Sequence, residues 1–324
     1  MKGLADIAGI RVGHASDFEA LTGCTVILCE QGAVGGLDVR GLAAGTRAVD
    51  TFRPDSLAEK VHGVALAGGS AFGLEAVTGV MRYLERRGVG FDTGAGRVPI
   101  VGGAILYDLS IGSSGVRPTA AMGEAAAEAA TDGPVEEGCV GAGTGATVGK
   151  LFGLERAMKG GAGSATVEIA GGARVAALAV VNAFGDVLDP ASGRPLAGAR
   201  AARDSAELAD MAACMKRGVV RRRFGTHVEG TNTTLVVVAT DAALNKMQAG
   251  KLASMAAAGC ARALSPVHTT FDGDVVFALS AGHAEADLNA LGVAAAEAVA
   301  AAIVRGVRLA RSLGGVPGLA GAKQ

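Results

Sequence analysis

Uninterrupted apolar runs alternate along this chain with stretches rich in Ala, Glu and Arg, and glycine-dense breaks separate the two kinds. Residues 233–240 form the clearest run, Thr-Thr-Leu-Val-Val-Val-Ala-Thr, closed by Asp241. Val and Thr suit a pleated, buried surface, so this run predicts a core strand. Short strands are predicted around 8–12, 24–29, 34–39 and 62–68, with glycine-rich turns between them. Further buried strands are predicted at 135–140, 165–170, 175–182 and 274–280. Helices are expected over 71–87, 120–131, 201–216, 242–263 and 285–311. The first helix has Ser70 as its N-cap and Arg86-Arg87 in its last turn, where cations suit the negative end of the helix dipole. The elements interleave without a strict βαβ rhythm or an internal repeat. That predicts one layered α/β domain over residues 1–324 rather than a Rossmann repeat. The tail from Gly314 to Gln324 is expected to be disordered.

Composition narrows the function classes. Half the 324 residues are hydrophobic, yet aromatics make up 3% and Trp is absent, so Ala, Val, Leu and 51 Gly must build a core of closely approaching backbones. A net charge of −1 gives no footprint for nucleic acid, and the trio Arg221-Arg222-Arg223 reads as a solvated loop. Five scattered cysteines without C-x-x-C spacing fit reduced thiols in a cytosolic protein rather than disulfides or zinc. No basic segment followed by an apolar core opens the chain, so no signal peptide is expected. Glu297 and Arg305 interrupt the Ala-rich C-terminal run, so no membrane span is expected either. The expectation is a soluble, cytoplasmic protein. No metal or cofactor is expected, since His14, His62, His227, His268 and His283 form no H-x-H or H-x-x-x-H pair.

Candidate chemistry gathers at a few places. The polar segment ending in Asn232 runs directly into the strand that Thr233 begins. A hydroxyl residue at that boundary has its Oγ beside the preceding carbonyl, the geometry of an N→O acyl shift. Completion of the shift would leave Thr233 as an N-terminus whose α-amine serves as its general base. Read alone, the stretch is more commonly just a loop entering a core strand. Gly141 to Leu151 resembles a phosphate loop but carries Thr144 and Leu151 where that motif needs Gly and Ser or Thr. What remains is a glycine-dense loop delivering Lys150, a cation suited to a catalytic site. Asp272 and Asp274 flank Gly273, and strand alternation puts both carboxylates on one side. They could orient a hydroxyl or hold an ammonium, or mark an ordinary turn. Asn182 could donate to an oxyanion and Tyr107 could orient a substrate, although either could be a structural hydrogen bonder.

Taken together these segments resemble a known family, the autoprocessing N-terminal-nucleophile peptidases of the DmpA type, also called the P1 or S58 family. The resemblance rests on Gly9-Ile10-Arg11-Val12-Gly13-His14, Asp38-Val39-Arg40-Gly41 with Gly45-Thr46-Arg47, and Gly68-Gly69-Ser70-Ala71-Phe72-Gly73-Leu74. Gly141 to Lys150, Asn182, Asn232-Thr233-Thr234-Leu235 and Phe271-Asp272-Gly273-Asp274 complete it, in order and across nearly the whole chain. It implies a four-layer αββα sandwich, self-cleavage between Asn232 and Thr233, an α subunit of residues 1–232 and a β subunit of residues 233–324. It further implies a homo-tetramer of αβ units acting on a small amide or peptide, with no cofactor. Thr233 would be the nucleophile, Asn182 the oxyanion donor and Lys150 a cation beside the α-amine. Asp272 and Asp274 would orient Thr233, and Tyr107 would position substrate. A Thr nucleophile with two aspartates is most similar to the nylon-oligomer (6-aminohexanoate oligomer) hydrolase branch. A DmpA-like aminopeptidase, acting as an L-aminopeptidase/D-amidase or on β-peptides, is the alternative. An acyltransferase like the ornithine acetyltransferases and a catalytically silent scaffold are the remaining readings.

Overall fold

The computed structural model describes residues 1–219 and 232–321. Arg221–Arg223, His227 and the end of the tail, residues 322–324, lie outside the described residues. Nine strands form one mixed sheet: β1 (Arg11–Asp17), β2 (Thr22–Val39), β3 (Gly45–Arg47), β4 (Lys60–Ala67), β5 (Val101–Ile105), β6 (Ala162–Glu168), β7 (Arg174–Asn182), β8 (Thr233–Ala242) and β9 (Val275–Ala284). Their spatial order is β6-β7-β8-β9-β2-β4-β5-β3, with β1 also paired to β2. The pairs β8–β9 and β4–β5 are parallel, and the others are antiparallel.

The 18-residue strand β2 makes this sheet into two leaves. Its first half pairs with β1 and β4, and its second half, Val34–Val39, pairs with β9. Two separate strands with a turn were expected here. Instead the register shifts between Leu28 and Ala33, and Gly32, at φ 79°, takes up extra residues without reversing the chain.

Side-chain alternation then sorts the core into three layers. In β8, Leu235, Val237 and Ala239 face the other leaf and meet Ile27, Val64 and Leu66. Val236 and Val238 face α4 (Lys246–Ala263) and α5 (Leu288–Arg308). On the far side, Val26, Leu28, Ala65 and Ala67 pack on α1 (Ala76–Arg86) and α2 (Ala120–Glu128). The result is helices, leaf, leaf, helices: the four-layer αββα sandwich. The apolar run in β8 is continuous because both of its faces are buried.

Several boundaries differ from expectation for local reasons. Residues 135–140 make only one bridge, Gly138 to Ala162; Val135 and Val140 are apolar because they pack on the inter-leaf core. Of 201–216, only α3 (Met211–Lys216) is helical, since the Asp210 side chain caps it at Ala213 N. Ser70 caps nothing and sits at φ 55°, opening a 3₁₀ turn over Ser70–Glu75 before α1. The helix expected from 242 starts at Lys246, where Asn245 and Gln248 form a capping box. The segment 314–321, expected to be disordered, is instead held in place: Arg311 bridges Ala320, and the Pro317 carbonyl accepts Lys159 N. Helix α5 is, by length and composition, long and apolar enough to cross a membrane, contrary to expectation. Here its apolar side is spent on β6 and β7 in the core. All five cysteines are buried and free.

Backbones approach closely where glycine allows it. A Cβ on Gly36 in β2 would fall 2.1 Å from the Ala249 carbonyl carbon in α4, whereas one on Gly250, a residue further along that helix, would meet nothing within 4 Å. Gly36→Ala is therefore expected to destabilise the protein by about 1–3 kcal/mol or more through overpacking. Gly250→Ala is expected to stabilise it by about 0.5–1 kcal/mol through helix propensity. Urea midpoints of the two variants should move in opposite directions; a shared sign would contradict this packing.

Candidate active site

Three strand ends meet at Thr233. On one side the ladder sets Asn182, the last residue of β7, directly opposite Thr233, the first of β8. On the other, Asn232 bridges Asp272 as the chain enters β9. This juxtaposition buries a polar junction: Asn232 is 0% exposed and Thr233 2%. Burial of polar groups requires partners, and the bonds here converge on two carbonyls. The Asn232 carbonyl oxygen accepts the Thr233 hydroxyl at 2.6 Å and the Gly273 amide at 2.8 Å. The Asn232 amide and its side-chain Nδ2 both donate to the Phe271 carbonyl, at 3.2 and 3.3 Å.

Lys150 reaches the junction from beneath Asn182. Its Nζ donates to Asn182 Oδ1 at 2.7 Å and to the Asn182 carbonyl at 3.0 Å, in a side chain only 4% exposed. The glycine-dense loop exists for this approach. Gly149, at φ 75°, has no room for a Cβ, which would fall 2.0 Å from Ala199 N, and Lys150 N bonds the Phe184 carbonyl. Asn182 Oδ1 also accepts Thr147 N at 3.0 Å. These two donors fix the amide so that its nitrogen points the other way, to the Tyr107 carbonyl at 3.2 Å. One of the two Nδ2 hydrogens is thereby committed, leaving the second as the group able to face an oxyanion. Tyr107 meets Asn182 through its main chain; its half-buried side chain is not part of this bond.

The two aspartates are each pinned by two segments. Asp272 Oδ1 accepts Phe184 N at 3.1 Å, while its Oδ2 accepts Thr269 N at 3.0 Å and the Thr269 hydroxyl at 2.6 Å. Asp274 Oδ1 accepts Thr234 N at 2.6 Å, and its Oδ2 lies 2.8 Å from His268 Nδ1. The main-chain carbonyls of both residues are held by Ala43 N and Arg40 N. Gly41 and Gly273 permit this, because a Cβ on Gly41 would fall 2.0 Å from the Asp272 carbonyl and one on Gly273 2.4 Å from that of Ala43.

All the residues singled out in the sequence thus come together, Tyr107 through its carbonyl. The sequence reading missed His268, Thr269 and the Gly273 amide. Their signal is proximity to the Asp-Gly-Asp turn, but a backbone N–H carries no residue signature, and the spacing of His268 bears only on metal ligation. A cleft of about 670 Å³ among Glu155, Arg200, Asp204 and Pro317 contains none of these residues. The junction is a buried strand-end site.

The chain belongs to peptidase family S58, whose model matches residues 2–320. An uncharacterized aminopeptidase of Mycobacterium tuberculosis (strain ATCC 25618 / H37Rv) is 40% identical over 346 residues, covering 98% of this chain and 96% of that protein. A 6-aminohexanoate-oligomer endohydrolase of Agromyces sp. (strain KY5R) is 32% identical over 282 residues, covering 85% of this chain and 74% of that protein. Among solved structures, a Burkholderia sp. beta-aminopeptidase superposes with a TM-score of 0.69 at 25% identity, over 98% of this chain and 90% of that one. The L-aminopeptidase D-Ala-esterase/amidase of Ochrobactrum anthropi, a variant of the Ntn-hydrolase fold, gives a TM-score of 0.72 at 21% identity over 98% and 88% of the two chains. The fold is that of the Ntn-hydrolase aminopeptidases, and the chain is a hydrolase acting on amides.

Burial, and then the neighbouring Asp274 charge, push the Asp272 carboxyl up to about 6 against the pull of its hydrogen-bond donors. A raised folded-state pKa contributes stability below the unfolded value of 3.8, and that stability is lost as pH rises through about 6. The comparison is made in a Thr233→Ala background, so that the Asn232–Thr233 bond is in the same state throughout. There, the stability of the Asp272-containing chain relative to its Asp272→Asn counterpart should fall by on the order of 2–3 kcal/mol between about pH 4 and pH 7. Denaturant titrations across that range would show parallel curves if Asp272 were not so buried.

Proposed function

We propose that this S58 hydrolase cuts itself between Asn232 and Thr233 and then uses the freed Thr233 to hydrolyse short aliphatic amides. The observation that carries the reading is the Asn232 carbonyl, with the Thr233 hydroxyl at 2.6 Å and the Gly273 amide at 2.8 Å on its oxygen. In the first reaction Thr233 Oγ adds to the Asn232 carbonyl carbon, and the C–N bond breaks with the Thr233 nitrogen leaving as an amine. Water then hydrolyses the resulting ester, leaving Asn232 with a carboxylate and Thr233 with a free α-amine and hydroxyl. The Gly273 N–H is placed for the oxyanion of that first step.

In turnover the Thr233 α-amine takes the hydroxyl proton as Oγ attacks the substrate amide, then passes it to the leaving amine; water releases the acyl group. The second Nδ2 hydrogen of Asn182 serves the oxyanion. Lys150 fixes Asn182 and adds positive charge beside the α-amine, which favours the neutral, basic form of that amine. Asp274, already on Thr234 N, holds the new terminus together with Asp272, and Tyr107 borders the substrate. Two aspartates, one lysine and little aromatic surface suit a flexible aliphatic amide carrying an ammonium group. The endohydrolase relative supports internal cleavage of 6-aminohexanoate oligomers. The relative at 40% identity, named an aminopeptidase and matched over 98% of this chain, supports a second reading as an aminopeptidase.

Purified protein is expected to resolve into two chains, the smaller beginning at Thr233 by N-terminal sequencing. Thr233→Ala should remain one chain by intact mass and show no amide hydrolysis; cleavage in that variant would remove Thr233 from the reaction. On a mass-spectrometric panel of 6-aminohexanoate oligomers, β-peptides and L- and D-aminoacyl amides, several aliphatic chain lengths should be accepted, because a methylene discriminates by only about 1–3 kcal/mol. Oligomers should be cut at internal and terminal bonds. Release of single L-residues with the oligomers untouched would decide for the aminopeptidase.

A further inference from the structure

We propose that His268 is a positioning residue for the nucleophile, fixing Asp274 so that its other oxygen grips the backbone at the start of β8. This inference rests on the reading above only for its catalytic consequence; the contact itself stands on geometry. Both Asp274 oxygens are engaged, Oδ2 with His268 Nδ1 at 2.8 Å and Oδ1 with Thr234 N at 2.6 Å. A carboxylate can only accept, so His268 Nδ1 carries the hydrogen in that pair. One rigid carboxylate therefore ties the 268 loop to the residue after the nucleophile. Because Thr233 precedes Thr234, the α-amine released by cleavage forms next to the same oxygen.

Three further observations place the function in the imidazole rather than in general packing. First, His268 holds a left-handed backbone, φ 51°, which glycine adopts freely and a histidine adopts at a cost. Strain kept at such a position points to a side chain that is needed there. Second, its neighbour Thr269 clamps Asp272 through both its amide and its hydroxyl, so consecutive residues secure the two aspartates. Third, the Asp38-Arg40 motif, prominent in the sequence and unassigned by the chemistry, stands behind the histidine. Arg40 binds Asp38 through two nitrogens, at 2.8 and 3.1 Å. Burial works against the Asp38 carboxylate, but Arg40, Ser254 and the nearby His268 together hold its pKa below the usual value. Arg40 also donates its backbone amide to the Asp274 carbonyl at 2.7 Å.

The test uses two substitutions that both tolerate the left-handed backbone. His268→Gly removes the donor and relieves the strain, whereas His268→Asn keeps an N–H donor near the imidazole Nδ1 position. Hydrogen exchange of the Thr234 amide, measured in the uncut Thr233→Ala chain, reads the clamp without any catalysis. It should quicken in His268→Gly and stay slow in His268→Asn. In the active chain, His268→Gly should lower the rate of self-cleavage and kcat by about 10–100-fold with KM little changed, as expected for a lost hydrogen bond to a charged group. His268→Asn should recover most of that loss. Unchanged Thr234 exchange in His268→Gly, or exchange and rates in His268→Asn as impaired as in His268→Gly, would overturn the proposal. If His268→Gly does not fold, a folded His268→Asn with fast Thr234 exchange overturns it equally, and one with slow exchange and near-parental kcat supports it. A parent chain that never yields Thr233 as an N-terminus would instead overturn the self-cleavage reading, and the exchange result would still decide the clamp.

Discussion

The pairing of three strand ends around one peptide bond is the constraint from which the site follows. Antiparallel pairing puts Asn182 opposite Thr233, and the approach to β9 puts Asp272 beside Asn232. Once those registers are set, the Asn232 carbonyl must lie in a buried environment and must be satisfied there. The donors within reach are the next hydroxyl along the chain and the amide of Gly273. A one-residue slip in either ladder would turn Thr233 to the opposite face of the sheet. The interior of β8, buried on both faces, prevents that slip through Leu235, Val237 and Ala239 against one leaf and Val236 and Val238 against the helices.

The same constraint explains the odd composition. A sandwich of two leaves and two helical layers, with loops threading between strand ends, brings backbones within a Cβ of each other at many points. Gly36 accommodates α4, Gly149 lets Lys150 in under Asn182, and Gly41 and Gly273 interlock the 40–43 segment with the aspartate turn. Bulky aromatics would hold these surfaces apart, and Phe52 against Phe277 is one of the few ring pairs in the core. The alanine-rich helices α4 and α5 pack on the sheet by the same logic of small side chains.

Electrostatically, the site concentrates two buried carboxylates and one buried ammonium within hydrogen-bonding reach of neighbouring backbone. Such charges are tolerated only when each is well supplied with partners. Asp272 has two amides and a hydroxyl, Asp274 an amide and an imidazole, and Lys150 both oxygens of Asn182. The arrangement is a set of buried polar groups fixed by hydrogen bonds around the Asn232–Thr233 junction.

The sequence by itself determined the core strand at 233–240, the polar-to-apolar boundary at Asn232–Thr233 and the layered α/β class, because β-branched runs and glycine breaks act locally. Its motifs, matched as a set, also named Lys150, Asn182, Asp272 and Asp274. It misjudged 24–39 as two strands, since a glycine at a turn and a glycine at a bulge look alike until a partner strand shows whether the chain reverses. It read 201–216 as one helix, because alanine content does not reveal that Asp210 caps the chain only from Met211. The tertiary structure alone decided that Asn182 faces Tyr107 through its amide nitrogen, that a backbone amide at Gly273 supports the Asn232 carbonyl, and that His268 holds Asp274. The first two are relations among atoms brought together by long-range pairing, which leaves no periodicity in the chain that makes them; the third spans six residues, and only the folded turn shows which partner the imidazole takes.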